Sequence, residues 1–276
     1  MLAGQGLLVV LASQLENITG DLHRAWSITF FVLAALFAAF FIYHWFILPY
    51  PAEDQHRSAK GLTEVFESFA QTFISFFQKK NLLAAIAFLL LFRLAEAQLV
   101  KLASPFLLDT RETGGLALST SDIGFIYGTA GIIALTLGGI LGGIAVSAGG
   151  LKKWLWPMAL SLNLPDLVYV YLSFAQPESL WLITSSVVIE QFGYGFGFTA
   201  YMLFMIHFSD GPHKTAHYAI CTGFMALGMM LPGMVSGWIQ EMIGYQWFFL
   251  WVMACTVPGF LLLPFLKVDP KFGIKE

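Results

Sequence analysis

The sequence predicts an all-α polytopic membrane protein, and three observations carry the prediction. Of the 276 residues, 58% are apolar and only 11% charged, against roughly 25% charged in a soluble domain. The apolar residues gather into runs of about twenty, the length a helix needs to cross a hydrocarbon core. The roughly ten-residue alternating segments of a membrane β-barrel do not occur. A single chain crossing lipid without them must satisfy its backbone within helices. The net charge of −3 says little about partners, and no basic block points to nucleic acid. Cys221 and Cys255 both lie in apolar runs and read as small buried hydrophobes.

Taken in order, residues 2–15 are apolar but too short to span. No Lys or Arg precedes them and no clean A-x-A site follows, so a signal peptide is disfavoured. They read as the end of a helix that begins elsewhere. A full span covers 26–48 and closes at Pro49 and Pro51. The hydrophilic stretch PAEDQHRSAK follows. In 62–78, Leu62, Val65, Phe66, Phe69, Phe73, Phe76 and Phe77 recur at helical spacing, with Glu64, Glu67, Gln71 and Gln78 on other faces. That pattern predicts an amphipathic helix lying on a membrane surface. Six further spans are predicted at 81–109, 123–148, 154–174, 180–208, 216–239 and 247–266.

Charge orients them. With the 49–80 connection placed in the cytoplasm, ten of the 14 Lys and Arg fall on cytoplasmic segments. Only Arg24 and Arg111 fall outside, while Arg93 and Lys101 lie within the membrane. Because cytoplasmic loops carry the basic excess, the C-terminus is expected in the cytoplasm. The expected organisation is a remnant of one bundle (1–48), a cytoplasmic linker with its amphipathic helix (49–80), a six-helix bundle (81–266) and a cytoplasmic tail (267–276). One span, a linker and six closely connected spans suggest the second half of a two-half transporter.

Residues able to do chemistry are few and sit inside the spans. The run NLLAAIAFLLLFRLAEAQLVKLASPFLLD at 81–109 places Arg93, Glu96, Gln98 and Lys101 in one helix. A charge at the bilayer centre costs at least about 2.5 kcal/mol, so these must face one another, other helices or a wet cavity. Arg93 and Glu96 are neighbours on the helix surface, and Gln98 and Lys101 border the same sector. Such a cluster suits an anionic or heavily hydroxylated solute, with Glu96 able to take a proton; alternatively, Arg93 and Glu96 only lock packing. Glu190 is a lone intramembrane carboxylate, a candidate for proton coupling, and Asp166 beside Pro165 is a candidate solute contact. Gly138 and Gly142, with Gly139 and Gly143, form small-xxx-small pairs that admit a neighbouring helix. Gly193 and Gly197 in GYGFGF, and Gly233 and Gly237, are candidates for close packing or gating. The glycine spacing does not fit a nucleotide loop. His207, His213 and His217 surround a polar turn, so no metal site is assigned and no cofactor is expected. No nucleophile elbow or acid–base pair supports an enzyme.

The residues resemble a known family. GIAVSAGGLKK at 143–153 matches the loop signature of the major facilitator superfamily at Gly143, Gly150, Lys152 and Lys153, with Ser147 and Ala148 in place of its acidic–basic pair. More specifically, FRLAEAQ (92–98), STSDIGFIYGTAG (119–131), Glu190 to Gly197, TAHYAICTG (215–223), PGMVSGWIQEMIGYQWFF (232–249) and PGFLLL (258–263) resemble the AmpG-like muropeptide permeases and their acetyl-coenzyme A transporter relatives. The resemblance implies the C-terminal six-helix bundle of a major facilitator fold plus the preceding one and a half helices. It implies a proton-coupled importer of anhydro-muropeptides in the inner membrane, active in peptidoglycan recycling. It places the basic–acidic pair of the seventh helix on Arg93 and Glu96 and the acidic residue of the tenth on Glu190. It also implies an N-terminal six-helix half, missing or separately encoded. A half for another solute (sugar, peptide or acyl-CoA) and a non-transporting subunit that docks on a partner bundle are the alternatives.

Overall fold

Residues 8–48 and 62–275 are described by a computed structural model of the chain. The PAEDQHRSAK stretch, with Arg57 and Lys60, lies outside them, as do the side chains of Leu62, Glu64 and Val65. Among the described residues the regular structure is all helical, twelve α-helices with short 3₁₀ and π turns and connecting loops. Two compact units are present, Met1–Val65 and Phe66–Glu276.

In the first unit, α1 (Leu8–Thr19) packs on α2 (Leu22–Ile47). Gly20 turns the chain at φ 65°, and the Asp21 carboxylate caps α2 by accepting from the backbone N–H of His23 at 2.9 Å. Along α2 the apolar residues go all round, and only Ala25 and Thr29 are buried. A helix of that kind is built for lipid rather than for a watery surface.

The second unit begins within α3 (Leu62–Phe77). Phe76 is fully buried beside Phe208, His217 and Phe224, while Phe66, Phe69, Ile74 and Phe77 stay exposed. The end of the amphipathic helix is therefore a wall of this unit, with its outer apolar face open. Next come α4 (Leu82–Leu91) and α5 (Leu94–Leu108), which together form one crossing. The second crossing joins α6 (Thr120–Phe125), a π-turn (Ile126–Gly131) and α7 (Ile132–Gly149). The third joins α8 (Leu151–Asn163), a 3₁₀ turn (Leu164–Asp166) and α9 (Leu167–Ala175). α10 (Leu180–Ser209) follows, then α11 (Lys214–Ala254) and α12 (Val257–Leu262).

Among the described residues, five helical stretches are long and apolar enough to cross a membrane: Leu22–Ile47, Leu82–Leu108, Thr120–Gly149, Leu151–Ala175 and Lys214–Phe265. The last breaks at Gly244 (φ 74°, ψ 166°), which divides it into the two rods expected at 216–239 and 247–266. α10 has the length, 30 residues, but its glycines, hydroxyls and Glu190 make it less apolar. It can be so because α7 and α8 cover it.

The connections sort into two ends. At one, Lys79 Nζ donates to the carbonyls of Phe208 (2.8 Å) and Asp210 (2.7 Å), the backbone N–H of Leu151 donates to Phe272 O, and that of Lys275 donates to Ser147 O. Burial of the Lys79 amine pushes its pKa down, against the pull of Asp210. At the other end, the loop after α5 folds back so that Leu116 and Leu118 donate to Phe106 O and Leu107 O. Arg111 then bridges to the carbonyls of Gln176 and Pro177 at 2.7 and 3.0 Å. Tyr245, just past the Gly244 break, donates to Asp109 at 2.6 Å, stacks with Phe249 and lies tilted against Phe106. Tyr245→Phe is expected to cost about 1.5 kcal/mol, the lower end for a bond to a charged group because Asp109 is exposed. Denaturant unfolding of the purified protein in detergent would read this; an unchanged midpoint would remove the bond from the account.

Candidate functional site

Three of the helices that build the centre of the second unit are irregular there. The first crossing breaks between α4 and α5, where Arg93 takes φ −104° and ψ 20°. No proline or glycine causes this. Leu89 O, which a continuous helix would offer to the Arg93 N–H, instead accepts from the buried Tyr201 hydroxyl at 2.7 Å. Such a substitute partner is what lets a helix break inside a membrane. The second crossing is underwound into a π-turn that carries Tyr127, a device common at functional sites. The third tightens into a 3₁₀ turn at Pro165, which delivers Asp166 inward. α10 runs unbroken between them and supplies Glu190, Tyr194 and Phe198.

These elements bring three carboxylates together. One oxygen each from Glu96, Asp166 and Glu190 lies within 4.8 Å of the others, and the residues are 5%, 2% and 3% exposed. Glu190 Oε2 accepts from Gln191 Nε2 at 3.0 Å and from the Tyr169 hydroxyl at 3.4 Å, and Tyr169 in turn meets the Tyr127 hydroxyl at 2.5 Å. Both oxygens of Asp166 and Oε2 of Glu96 are buried with no hydrogen-bond partner. At an effective dielectric of about 20, two unit charges 4 Å apart repel by about 4 kcal/mol. The three acids therefore cannot all be ionised without something positive between them.

Arg93 does not fill that role by contact. The ion pairs of 4.0 Å or less among the described residues are Arg24–Asp21 and Lys214–Asp210, both at the surface. The Arg93 guanidinium turns instead to α10, where Nη2 donates to the Tyr194 hydroxyl at 2.6 Å. Its Cζ sits 4.6 Å from the Phe198 ring centre and 5.5 Å from that of Tyr194. Tyr194 and Phe198 are four apart, so one face of α10 forms an aromatic clamp for a planar cation. Arg93 and Glu96, three apart in sequence, thus belong to adjoining sites rather than to one buried pair.

The other candidate residues separate. Gln98 is turned away into packing: Trp251 Nε1 donates to its Oε1 at 2.8 Å, and its Nε2 donates to Leu94 O and Cys255 Sγ. Lys101 is exposed, its stem beside Gly233. Gly138 and Gly142 lie against the α10 backbone at Phe192 and Phe196, and Gly193 and Gly197 lie against Ser161 and Met158. Gly237 and Gly143 face open space. His213 and His217 rings are 5.9 Å apart, but His207 packs on Phe272 and His217 bonds Ser75 and Thr72 O. The sequence reading did not single out Tyr127, Tyr169, Gln191, Tyr194 or Phe198. The alternation GYGFGF held the one available signal, since glycines in a helix pack and the aromatic residues between them must face something else.

Comparison with known proteins finds distant relatives. A putative transporter AmpG 4 of Rickettsia felis is 25% identical over 267 residues, covering 95% of this chain and 61% of its own length. The chain is a distant homologue of the AmpG-like transporters over most of its length. A second AmpG-like protein, putative transporter AmpG 2 of Rickettsia typhi, is 23% identical over 75% of this chain. The anhydromuropeptide permease of Escherichia coli K12 is 24% identical over 188 residues, 68% of this chain and 37% of the permease. This AmpG-like chain spans less than two thirds of the length of the curated relatives it matches. No protein-family model matches it. The named relatives are transporters and permeases rather than enzymes, and the chain is a multi-pass membrane protein with part of a major facilitator-like fold.

Proposed function

We propose that the chain forms the C-terminal bundle of a proton-coupled importer of anhydro-muropeptides or a related solute. It would sit in the inner membrane with its C-terminus in the cytoplasm and work by alternating access against an N-terminal six-helix half. The convergence of Glu96, Asp166 and Glu190 from three helices carries this reading. A buried acidic cluster beside a clamped arginine is costly in lipid and has no packing purpose that a hydrophobic side chain would not serve better. In the proposal, Glu96 and Glu190 take the coupling proton, and Arg93 and Asp166 meet the solute's carboxylates and hydroxyls. Gln98 and Lys101 were expected to join them; their positions favour packing for the first and an exposed outer role for the second. The permease named among the relatives supports the solute class, and the Lys and Arg on the end that includes Lys79, Lys152 and Lys153 support the orientation.

The test is uptake of labelled anhydro-muropeptide by cells making the full-length product with Glu96→Gln or Glu190→Gln. Accumulation driven by an imposed proton gradient should fall at least about tenfold, equal to about 1.4 kcal/mol of coupling free energy. Unchanged accumulation in both variants would remove these residues from coupling, and no uptake of the labelled solute by the unaltered protein would remove the solute.

A further inference from the structure

We propose that Glu96, Asp166 and Glu190 form a binding site for a hard cation of the size shared by Na⁺ and Ca²⁺. The acidic cluster alone would not justify this, because acids in lipid also persist by holding protons. The second observation is the state of their oxygens. Asp166 is 2% exposed, and neither of its oxygens has a hydrogen-bond partner. Glu96 Oε2 is equally buried and unpartnered. No hydrogen bond joins the three carboxylates to one another among the described residues. A buried acid with neither oxygen partnered, meeting two further carboxylates, is what a cation replaces water to reach.

The spacing admits an ion of this size: the converging oxygens lie within 4.8 Å of one another, close enough for one ion to reach all three. Ca²⁺ takes six to eight oxygens at about 2.3–2.6 Å in flexible geometry, and Na⁺ is of the same size, whereas Mg²⁺ dehydrates reluctantly and seldom takes an all-protein cage. Three carboxylates are a hard oxygen donor set of the kind these ions prefer over softer metals. Charge fits as well: a divalent ion neutralises two carboxylates and Arg93 lies one turn from Glu96, while a monovalent ion leaves one more charge for a proton. Cation and protons are thus alternative ways to neutralise one cluster. The breaks at Arg93 and Asp166 give two of the three ligands a hinge on which to close.

The inference concerns binding and goes beyond the transport reading, so it can be tested without solute. Thermal melting of the purified full chain in detergent would be followed in NaCl, in CaCl₂ and in MgCl₂, each against choline chloride at equal ionic strength. A saturable rise of about 5 °C is expected with Na⁺ or Ca²⁺ at about a hundred times the dissociation constant, and a smaller one with Mg²⁺. A response to one of the first two identifies the ion. Asp166→Asn should abolish the response and yet melt no lower than the unaltered protein in choline, because it relieves repulsion; Glu96→Gln should behave likewise. No saturable response to either Na⁺ or Ca²⁺ would overturn the proposal, as would a response undiminished in Asp166→Asn. Loss of muropeptide uptake with the cation response intact would count against the transport reading alone.

Discussion

Arg93→Ala is expected to reduce solute uptake about 150- to 4,000-fold, the equivalent of the 3–5 kcal/mol that follows from removing one partner of a buried charged arrangement. Arg93 is 7% exposed, its Nη2 is bonded to Tyr194 at 2.6 Å, and its Cζ lies 4.6 Å from the centre of the Phe198 ring. Its Nε is buried and unpartnered, which leaves one donor unused for a solute. Truncation removes that donor and the positive charge one turn from three carboxylates. Arg93→Lys keeps the charge but not the fork or the flat guanidinium that lies against two stacked aromatic rings. It should lose about tenfold, near the about 1–2 kcal/mol of a desolvated cation–π contact. Tyr194→Phe, which keeps the ring and deletes the hydroxyl, should fall between the lysine variant and the unaltered protein. Uptake and thermal melting must be measured together. If Arg93→Ala melts several degrees lower and still imports at the normal rate, the guanidinium only fastens α5 to α10.

The crossings were legible in the sequence because hydropathy and length decide them. So was the intramembrane chemistry, since Arg93, Glu96, Asp166 and Glu190 are conspicuous against an apolar background. What was not legible is which charges meet. Helical spacing puts Glu96 near Arg93, and that proximity is real along the chain. The break at Arg93 then rotates one against the other, and no proline or glycine announces it; the cause is a tertiary one, Tyr201 taking the carbonyl of Leu89. Asp166 and Glu190 are 24 residues apart and on different crossings, so no ligand spacing connects them to Glu96. Gln98 shows the opposite error. A polar residue at helix centre reads as a site residue, yet it is consumed by Trp251 and Cys255, partners whose approach only the packing of α11 on α5 reveals.

The largest stability effect is expected at Gly195. With 100° per residue along a helix, Gly193 and Gly197 share a face of α10, and Gly195, two residues from each, lies on the opposite one. Two neighbours therefore touch α10 at backbone distance from both sides. A Cβ at Gly193 or Gly197 would run into the carbonyl of Ser161 or Met158, and one at Gly195 would run into the carbonyl of Leu135 and come within 3.1 Å of Gly139 N. These obstacles are backbone, so no rotamer change relieves them; α7 or α8 would have to move away from α10. Overpacking of well-fitted interiors costs about 1–3 kcal/mol and sometimes more, and Gly195→Val, against an immovable carbonyl, should reach at least about 3 kcal/mol on the same scale. Gly143 supplies the control, because a Cβ there meets nothing within 4 Å. Gly143→Ala should stabilise slightly, since alanine is favoured over glycine in a helix by about 1 kcal/mol. Gly195→Ala faces the same propensity gain and a backbone collision, so its sign reads the packing directly. A melting temperature that rises in both alanine variants would mean that α7 and α10 do not approach at Gly195. A rise at Gly143 with a fall at Gly195 would establish that α7 packs backbone to backbone on α10, the helix that carries Glu190 and the arginine clamp.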